Sequence, residues 1–432
     1  MIRNLRWYIV GLLTLVAAIN YLDRNVLSVA QVVLEKELGI TGKDYGHIVA
    51  VFLVAYGLVH PLAGRLIDWL GSRIGLTVAF IVWSLASVGH ALAGGVYSFA
   101  AFRFLLGAGE SGNFPASIKT VGEWFPAKER ALATGIINVG TGVGALLAPP
   151  LAGGIIFYCG WRAAFILTGV TGMIWLIPWL ILGRRPEEHK RITPEELAFI
   201  QAGQQEPATA VPKQAAKGVW REALSRSDMW AMMLARLLTD PVWLFFSFWI
   251  PKYFKDARGF DLKDIALFTW LPFLASGIGS VTGGWISSAF IGRGLPVITG
   301  RKISICISAA MMPLTILSVY AQSWQLAMAC LSVAAFGHQS WAASILTLPA
   351  DLFPKRMIAS CYGLPAMMGV LGGAFTQWYV GGVIEAVGYA PVFLVAGCMH
   401  PLAATVMLLF VKSNRTGLST QGVEIAASAC QR

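Results

Sequence analysis

Twelve apolar segments follow one another along this chain, and each is long enough to cross a lipid bilayer. A helix rises about 1.5 Å per residue, so it needs roughly 20 residues to span a hydrocarbon core of about 30 Å. The expected spans are 7–33, 45–70, 74–94, 97–121, 131–158, 162–183, 229–254, 264–290, 300–321, 323–349, 357–385 and 389–411. The sequence therefore predicts an all-α integral membrane protein with twelve transmembrane helices.

Composition excludes several other classes of protein. Hydrophobic residues make up 56% of the chain and charged residues only 13%, which rules out a soluble enzyme. The net charge of +11 does not indicate nucleic-acid binding, because the basic residues fall mostly in short loops between apolar segments. The 6 cysteines are widely spaced and form no CxxC or Cys/His cluster, so we expect no metal site and no cofactor.

The longest polar stretch divides the twelve segments into six plus six. We expect an N-terminal bundle over 1–183, a linker over 184–228, a C-terminal bundle over 229–412 and a tail over 413–432. The linker is expected to be a passive tether, apart from one amphipathic helix around 194–203.

Orientation follows from the positions of lysine and arginine. Most of them lie on one side if both termini are cytoplasmic, which is the side that positive residues favour. No cleavable signal is apparent, so the first helix is expected to direct insertion. We expect a monomer, with the linker and tail in the cytoplasm and the bilayer as its main partner.

A short pattern recurs in the two halves. An acidic residue, Phe-Pro, a basic residue and a glycine keep the same spacing in Glu123, Phe125, Pro126, Lys128 and Gly135, and in Asp351, Phe353, Pro354, Arg356 and Gly363. Each copy follows the fourth predicted helix of its half. Although two short turns can agree by coincidence, this position indicates an internal repeat, as in carriers that hold their substrate near the midplane between two halves.

Several charged residues lie inside predicted helices. Each costs about 2.5 to 3.5 kcal/mol at a helix centre and needs a reason to be there. Asp23, Arg103 and Glu110 lie at comparable depths in the first and fourth helices, so they can share a cavity. Asp23 and Arg24 diverge by about 100° around their helix and should meet different partners. The alternative is a structural staple in which Asp23 pairs with Arg103.

These charges can perform two functions, binding of an anion and transfer of a proton. An arginine offers a planar fork that matches a carboxylate, and a buried acid can carry a proton. We take Arg103 as the partner that holds an acid ionised until substrate arrives. Arg236 and Asp240 are one helical turn apart and are expected to pair locally, in a structural role.

Several motifs resemble the major facilitator superfamily over essentially the whole chain. The loop containing Gly64, Asp68, Gly71 and Arg73 is similar to its cytoplasmic signature, in which the acid and the base latch the two halves. Within the superfamily the chain resembles the anion:cation symporter family of bacterial sugar-acid carriers. The matching stretches are NYLDRN (20–25), RFLLGAGESGNFPA (103–116), EWFPAKER (123–130), TDPVW (239–243), FWIPKYF (248–254) and GHQSW (337–341).

The resemblance implies a proton-coupled symporter of the bacterial inner membrane that imports an organic anion such as a hexuronate or hexonate, and not an enzyme. It implies a carboxylate-binding role for Arg24 and proton-cycling roles for Asp23 and Glu110. Tyr21 and Tyr56 match its aromatic hydroxyl contacts. In the second half we expect His338 and Gln339, near the middle of the tenth helix, to bind substrate hydroxyls, although a lone histidine is often structural.

Five alternatives stay open at this point. The substrate can be another carboxylate, such as tartrate, glucarate or an aromatic acid, and sodium can replace the proton. The stretch APPLAGG at 148–154 partly resembles an element of antiporters, which keeps an exporter possible, although two buried arginines disfavour cationic cargo. A sensor or membrane enzyme lacks a visible nucleophile and base. A uniport channel fits a two-half repeat poorly.

Overall fold

The helices of the first half begin at Leu5 and run in antiparallel succession. The computed structural model describes residues 4–40, 42–202, 218–260, 264 and 268–411. The first half contains α1 (Leu5–Leu38), α2 (Gly42–Leu70), α3 (Ser72–Gly89), α4 (Val96–Glu110), α5 (Asn113–Trp124), α6 (Ala127–Met173) and α7 (Leu176–Leu182), with a 3-10 turn at His90–Leu92. The predicted tail at 413–432 lies outside the described residues.

The linker and the second half continue the series. The linker contains a 3-10 turn at Pro186–Glu188, α8 (Pro194–Ala202) and α9 (Val219–Leu224). The second half contains α10 (Ser227–Arg258), α11 (Leu271–Gly292), α12 (Val297–Met311), α13 (Leu314–Tyr320), α14 (Trp324–Ile345), α15 (Leu348–Leu352), α16 (Ile358–Val387) and α17 (Ala390–Phe410), with a 3-10 turn at Lys355–Met357.

These helices form twelve passes, because some passes are broken and one helix contains two. Gly160 has φ +83° within α6, which is left-handed backbone, so α6 holds the fifth pass and the start of the sixth. The pairs α4–α5, α12–α13 and α14–α15 each make one interrupted pass. Among the described residues, eight stretches are long and apolar enough to cross a membrane, and one of them, Ala127–Leu182, covers two passes. The predicted twelve-helix fold class is confirmed.

The recurring Phe-Pro turn has nearly identical geometry in the two halves. Phe125 has φ −122° and ψ 136°, and Phe353 has φ −124° and ψ 149°. The prolines that follow have ψ 151° at Pro126 and 150° at Pro354, so both turns redirect the chain in the same way. The sequence repeat is therefore also a structural repeat.

The linker packs against the first half instead of behaving only as a tether. Glu196 accepts hydrogen bonds from the backbone N–H groups of Leu5 (2.9 Å) and Arg6 (3.2 Å), which caps the start of α1. Ile192 and Ile200 are buried in the same apolar cluster as Leu5. The prediction of a passive linker is wrong for 186–202, because these apolar side chains and Glu196 are used in packing. The predicted helix around 194–203 is present as α8.

We call the end of the molecule where residues 186–202 pack against the start of α1 the linker end. There α2 packs closely on α16, and α6 packs closely on α11. A methyl group at Gly64 or Gly284 would overlap the carbonyl oxygen of Ala359 or Ala131, respectively. These glycines are needed because the backbones of opposite halves touch. The halves therefore meet at the linker end along two seams related by the internal repeat.

Candidate functional site

The centre of the first half contains an ion pair between two passes. Arg24 of α1 donates from Nε (2.9 Å) and Nη2 (2.7 Å) to Oε2 of Glu110, the last residue of α4. Glu110 is fully buried, whereas the Arg24 side chain is 21% exposed. Thus the guanidinium lies between an enclosed carboxylate and open space.

Small residues bring α4 to this position. A methyl group at Gly107 would lie 2.6 Å from the carbonyl oxygen of Phe52, and one at Gly109 would lie 2.7 Å from the backbone nitrogen of Trp83. These glycines let α4 approach α2 and α3 more closely than larger residues allow. The helix then ends at Glu110, and α5 begins at Asn113.

Three aromatic rings surround the Arg24 guanidinium. Its Cζ lies 4.5 Å from the ring centre of Tyr21, 5.0 Å from that of Phe52 and 4.7 Å from that of Tyr56. Rings at these distances attract a cation and fix its plane. Tyr21 and Tyr56, predicted as hydroxyl contacts, thus lie against Arg24. Phe52 was missed, although it lies one helical turn before Tyr56 on the same face.

Asp23 faces away from Arg24, as the 100° divergence predicted. It is 1% exposed and lies beside Ser87 of α3, with 3.4 Å between Oδ1 and the serine Oγ, and beside Thr168 of α6. No described lysine or arginine lies within ion-pairing distance of its carboxylate. The staple between Asp23 and Arg103 is therefore absent from the described contacts.

Arg103 differs from its predicted role in this conformation. It donates from Nη1 to the backbone oxygen of Arg24 (3.0 Å), and its Nε and Nη2 are buried without a hydrogen-bond partner. Glu110 is held by Arg24 instead of Arg103. The Arg24 side chain bonds directly to Glu110, whereas the Arg103 side chain is directed to the backbone oxygen of Arg24. Arg103 supplies positive charge nearby and fixes the backbone of α1.

His338 and Gln339 of α14 meet different neighbours. Gln339 accepts a hydrogen bond at Oε1 from Nδ2 of Asn138 in α6 (2.8 Å), which crosses between the halves. His338 is 5% exposed, stacks on Trp243 of α10 with 5.2 Å between ring centres, and contacts His400 of α17. Asn138 and His400 were missed, since each is an isolated polar residue without a spacing pattern.

The predicted local pair of Arg236 and Asp240 is confirmed. Arg236 donates to Oδ2 of Asp240 from Nε (2.9 Å) and Nη2 (2.6 Å). The Arg236 Cζ also lies 5.4 Å from the ring centre of Tyr362, whose ring lies 6.4 Å from that of His60. Since His60 packs on Tyr56 at 4.4 Å, a row of rings joins the arginine pair of one half to that of the other.

At the linker end, Asp68 joins the two halves. It accepts hydrogen bonds from the N–H (2.8 Å) and hydroxyl (2.6 Å) of Ser360 at the start of α16, and from Lys119 Nζ (2.7 Å). A carboxylate at a helix start is stabilised by the free N–H groups there. Gly71 has φ +84°, a conformation that favours glycine, and allows the turn into α3.

The basic residue of this signature has a different partner from the expected one. Arg73 donates to the backbone oxygen of Leu180 in α7, within its own half. Its side chain extends along α3 toward α7, so Asp68 reaches the other half and Arg73 does not. Lys119 of α5, which was not predicted, is the base beside Asp68. No sequence spacing links it to the signature.

The second seam is held by a buried group of three charges. Asp351 accepts from Arg130 of the first half at Oδ1 (3.0 Å) and from Arg301 of its own half at Oδ2 (2.8 Å). Arg301 also donates to the backbone oxygen of Ala127 (2.8 Å). Asp351, the acidic residue in the second copy of the Phe-Pro repeat, therefore links the two halves.

Gly64→Ala tests whether closure of the linker end is part of the working cycle. The added methyl would overlap the Ala359 backbone, so, for the transport that the sequence resemblance implies, we expect at least a tenfold loss of substrate uptake. Gly11→Ala is the matched control, because a methyl group at Gly11 meets nothing within 4 Å. Initial uptake rates at equal protein amounts decide the question. Equal rates for the two variants would show that this contact is dispensable.

The described residues provide no metal centre. No group of three or more His, Cys, Asp or Glu side chains lies close enough to hold a metal ion in the ranges that the structure covers. The chemistry available among the site residues is that of guanidinium, carboxyl, imidazole, amide and aromatic groups.

Most of this chain is similar in sequence to known proteins. Residues 13–376 match the profile of the Major Facilitator Superfamily. The chain is 34% identical over 410 residues to the hexuronate transporter of Escherichia coli (strain K12), covering 94% of each. It is 35% identical over 314 residues to the galacturonate transporter of Dickeya chrysanthemi, covering 72% of this chain and 90% of that one.

A solved structure shares the fold. The proton:xylose symporter XylE bound to 6-bromo-6-deoxy-D-glucose superposes with a TM-score of 0.71 at 20% identity, covering 94% of this chain and 97% of the other. At this identity the likeness concerns architecture alone.

Proposed function

We propose that this chain, which belongs to the Major Facilitator Superfamily and is a multi-pass membrane transporter, imports a sugar acid together with protons. The relatives named as hexuronate and galacturonate transporters support the substrate class. The observation that carries the proposal is the ion pair between partly exposed Arg24 and fully buried Glu110. A guanidinium in that position can exchange one carboxylate for another.

The need to keep the site electrically neutral couples binding of the anion to binding of a proton. Arg24 and ionised Glu110 together are neutral, and so are Arg24, a bound monocarboxylate and protonated Glu110. Binding the anion without a proton would leave a net negative charge in a low-dielectric site, which is costly. Protonation also removes the negative charge of the Glu110 carboxyl and so weakens its two hydrogen bonds with Arg24, which releases Arg24 to the substrate. One proton for each monoanion preserves neutrality.

The other residues have supporting roles in this proposal. Tyr21, Phe52 and Tyr56 hold the Arg24 plane, so its free edge stays aligned for a carboxylate. Asp23 is a second candidate proton carrier, because it is buried and has no described cationic partner within ion-pairing distance. The positive charge of Arg103 lies near Asp23 and offsets part of the negative charge of the ionised Asp23 carboxylate. Gln339 and His338 of the second half are candidates for binding substrate hydroxyls.

We place the linker end in the cytoplasm, where positive residues are favoured. The inter-half hydrogen bonds of Asp68, Arg130 and Asn138 lie toward that end. This conformation would then have its cytoplasmic side closed, ready to receive substrate from outside. Parting of these contacts, with closure of the opposite end, would complete the cycle.

The test is uptake by purified protein in proteoliposomes. Galacturonate, glucuronate, galactonate, glucarate and tartrate are each supplied with and without an imposed pH gradient, in sodium-free buffer and in sodium buffer. We expect a hexuronate or hexonate to accumulate when the outside is acidic, without a need for sodium. Accumulation that requires sodium, or the absence of pH-driven accumulation for all five anions, would contradict the proposal.

A further inference from the structure

Two buried histidines in the second half form a pair that the coupling scheme does not use. Nδ1 of His338 lies 2.9 Å from Nε2 of His400, and the rings meet edge to face with 5.0 Å between their centres. His400 is fully buried, whereas His338 keeps 5% of its surface exposed. Because His400 Nδ1 is buried, Nε2 of His338 is the nitrogen of this pair that a ligand can reach, and we call the space in front of it the cavity.

The pair shares one hydrogen bond, so its direction decides what His338 offers to a ligand. A neutral imidazole has one N–H and one acceptor nitrogen. If His400 donates, the proton of His338 is on Nε2 and faces the cavity. If His338 donates, its Nε2 is an acceptor, and His400 must carry its own proton on Nδ1.

The surroundings of His400 Nδ1 decide between these two arrangements. His60 and His90 both place Nδ1 beside the carbonyl four residues earlier, 2.6 Å from Tyr56 O and 2.7 Å from Ala86 O. A carbonyl only accepts, so both carry Nδ1–H. His400 is also in the middle of a helix, but its Nδ1 is buried and lacks any such partner. A sealed N–H without an acceptor is rare in proteins.

Trp341 supports the same arrangement. It packs edge-on against His400 with 5.3 Å between ring centres, and its own indole N–H is buried without a partner. A proton on His400 Nδ1 would add a second unpaired donor to a neighbourhood that already contains one. A lone pair at Nδ1 avoids this crowding of donors.

We infer that His400 donates its Nε2–H to His338 Nδ1, so that His338 presents Nε2–H to the cavity as a donor that cannot accept. Trp243 stacks on the His338 ring at an interplanar angle of 8° and fixes the direction of that N–H. His400 is thus a positioning residue. The inference rests on the proposed function only for its ligand, which would be an oxygen acceptor on the sugar acid.

The tautomers can be measured without any substrate. The chain has 6 histidines, so nitrogen NMR of ¹⁵N-histidine-labelled protein in lipid gives a spectrum that single substitutions can assign. We expect Nε2–H for His338 and His400, and Nδ1–H for His60 and His90 as internal references. Nδ1–H at His338 or at His400 in the unmodified protein would overturn the inference, whatever the substrate is.

Transport then tests the consequence for binding. His400→Met removes the donor at similar bulk, so His338 is free to change tautomer, and we expect KM to rise about tenfold with a maximal exchange rate within twofold. His400→Gln places an amide N–H near the original Nε2 and should restore most of the affinity. The control is His47→Gln, because His47 is exposed on α2.

The outcomes separate this inference from the proposed function. An unchanged KM in folded His400→Met, or no recovery in His400→Gln, contradicts the role of His400 even if proton-driven uptake is normal. Transport of a different anion, with the tautomers as expected and the same KM pattern, leaves the donor intact and changes only the assigned substrate.

Discussion

Glu110→Gln is expected to exchange substrate across the membrane at nearly the rate of the unmodified protein, yet to lose accumulation driven by a pH gradient. The amide is neutral at all pH values and resembles the protonated acid. Arg24 would then be free for the substrate carboxylate in every conformation. Without a proton to bind and release, the gradient has no means of driving the anion.

The two readouts are measured in the same vesicles. A gradient of one pH unit can support about a tenfold accumulation when one proton moves with each monoanion. We expect that ratio to fall to about 1 in Glu110→Gln, while counterflow stays within about threefold. Glu35→Gln is the matched control, since Glu35 is an exposed acid of α1. Normal accumulation in Glu110→Gln would remove Glu110 as the proton carrier and favour a structural role for the pair.

Arg24→Lys is expected to lose about 100-fold in substrate affinity, the largest effect of any single conservative change in this site. A lysine keeps the positive charge but cannot make two parallel hydrogen bonds to one carboxylate. It also packs differently among the three rings around Arg24. The loss corresponds to about 2.7 kcal/mol of binding free energy.

Lysine is a sharper test than alanine at this position. Arg24→Ala would leave Glu110 buried without its counter-charge, which can destabilise the fold by about 3 to 5 kcal/mol and confuse the result. Arg162→Lys is the matched control, because Arg162 also lies over an aromatic ring, 4.2 Å from the centre of Trp161, at the end of the first half opposite the linker. Substrate binding is measured by calorimetry or by counterflow. Affinity equal to that of the control variant would exclude Arg24 as the carboxylate site.

The fold follows from sequence because its main constraint is local. Each apolar segment must satisfy its own backbone hydrogen bonds inside the bilayer, so length and hydropathy predict a helix directly. The Phe-Pro repeat could be recognised because a turn at the membrane surface depends on a few residues. The linker was harder, since Ile192 and Ile200 are too few to form a periodic pattern, although both are buried.

The sequence predicted which residues belong to the site, but it did not predict which of them form pairs. A charge inside an apolar segment is visible in any sequence, which is why Asp23, Arg24 and Glu110 were identified. Which acid meets which base depends on where α4 lies beside α1, and Gly107 and Gly109 set that position by letting α4 approach α2 and α3 closely. His400 illustrates the same limit, since its role depends on His338 in a helix far away in sequence.

The polar seams of the linker end bear on how fast such a carrier can work. Asp351 with its two arginines, and Asp68 with Lys119, are all buried where the halves meet. The attraction within such groups is largely offset by the water that each charge gives up. Parting the halves returns that water, so the open and closed conformations can remain close in free energy. Leucine side chains that buried the same area would stabilise the closed conformation more strongly. The protein would then remain closed at this end instead of completing its cycle.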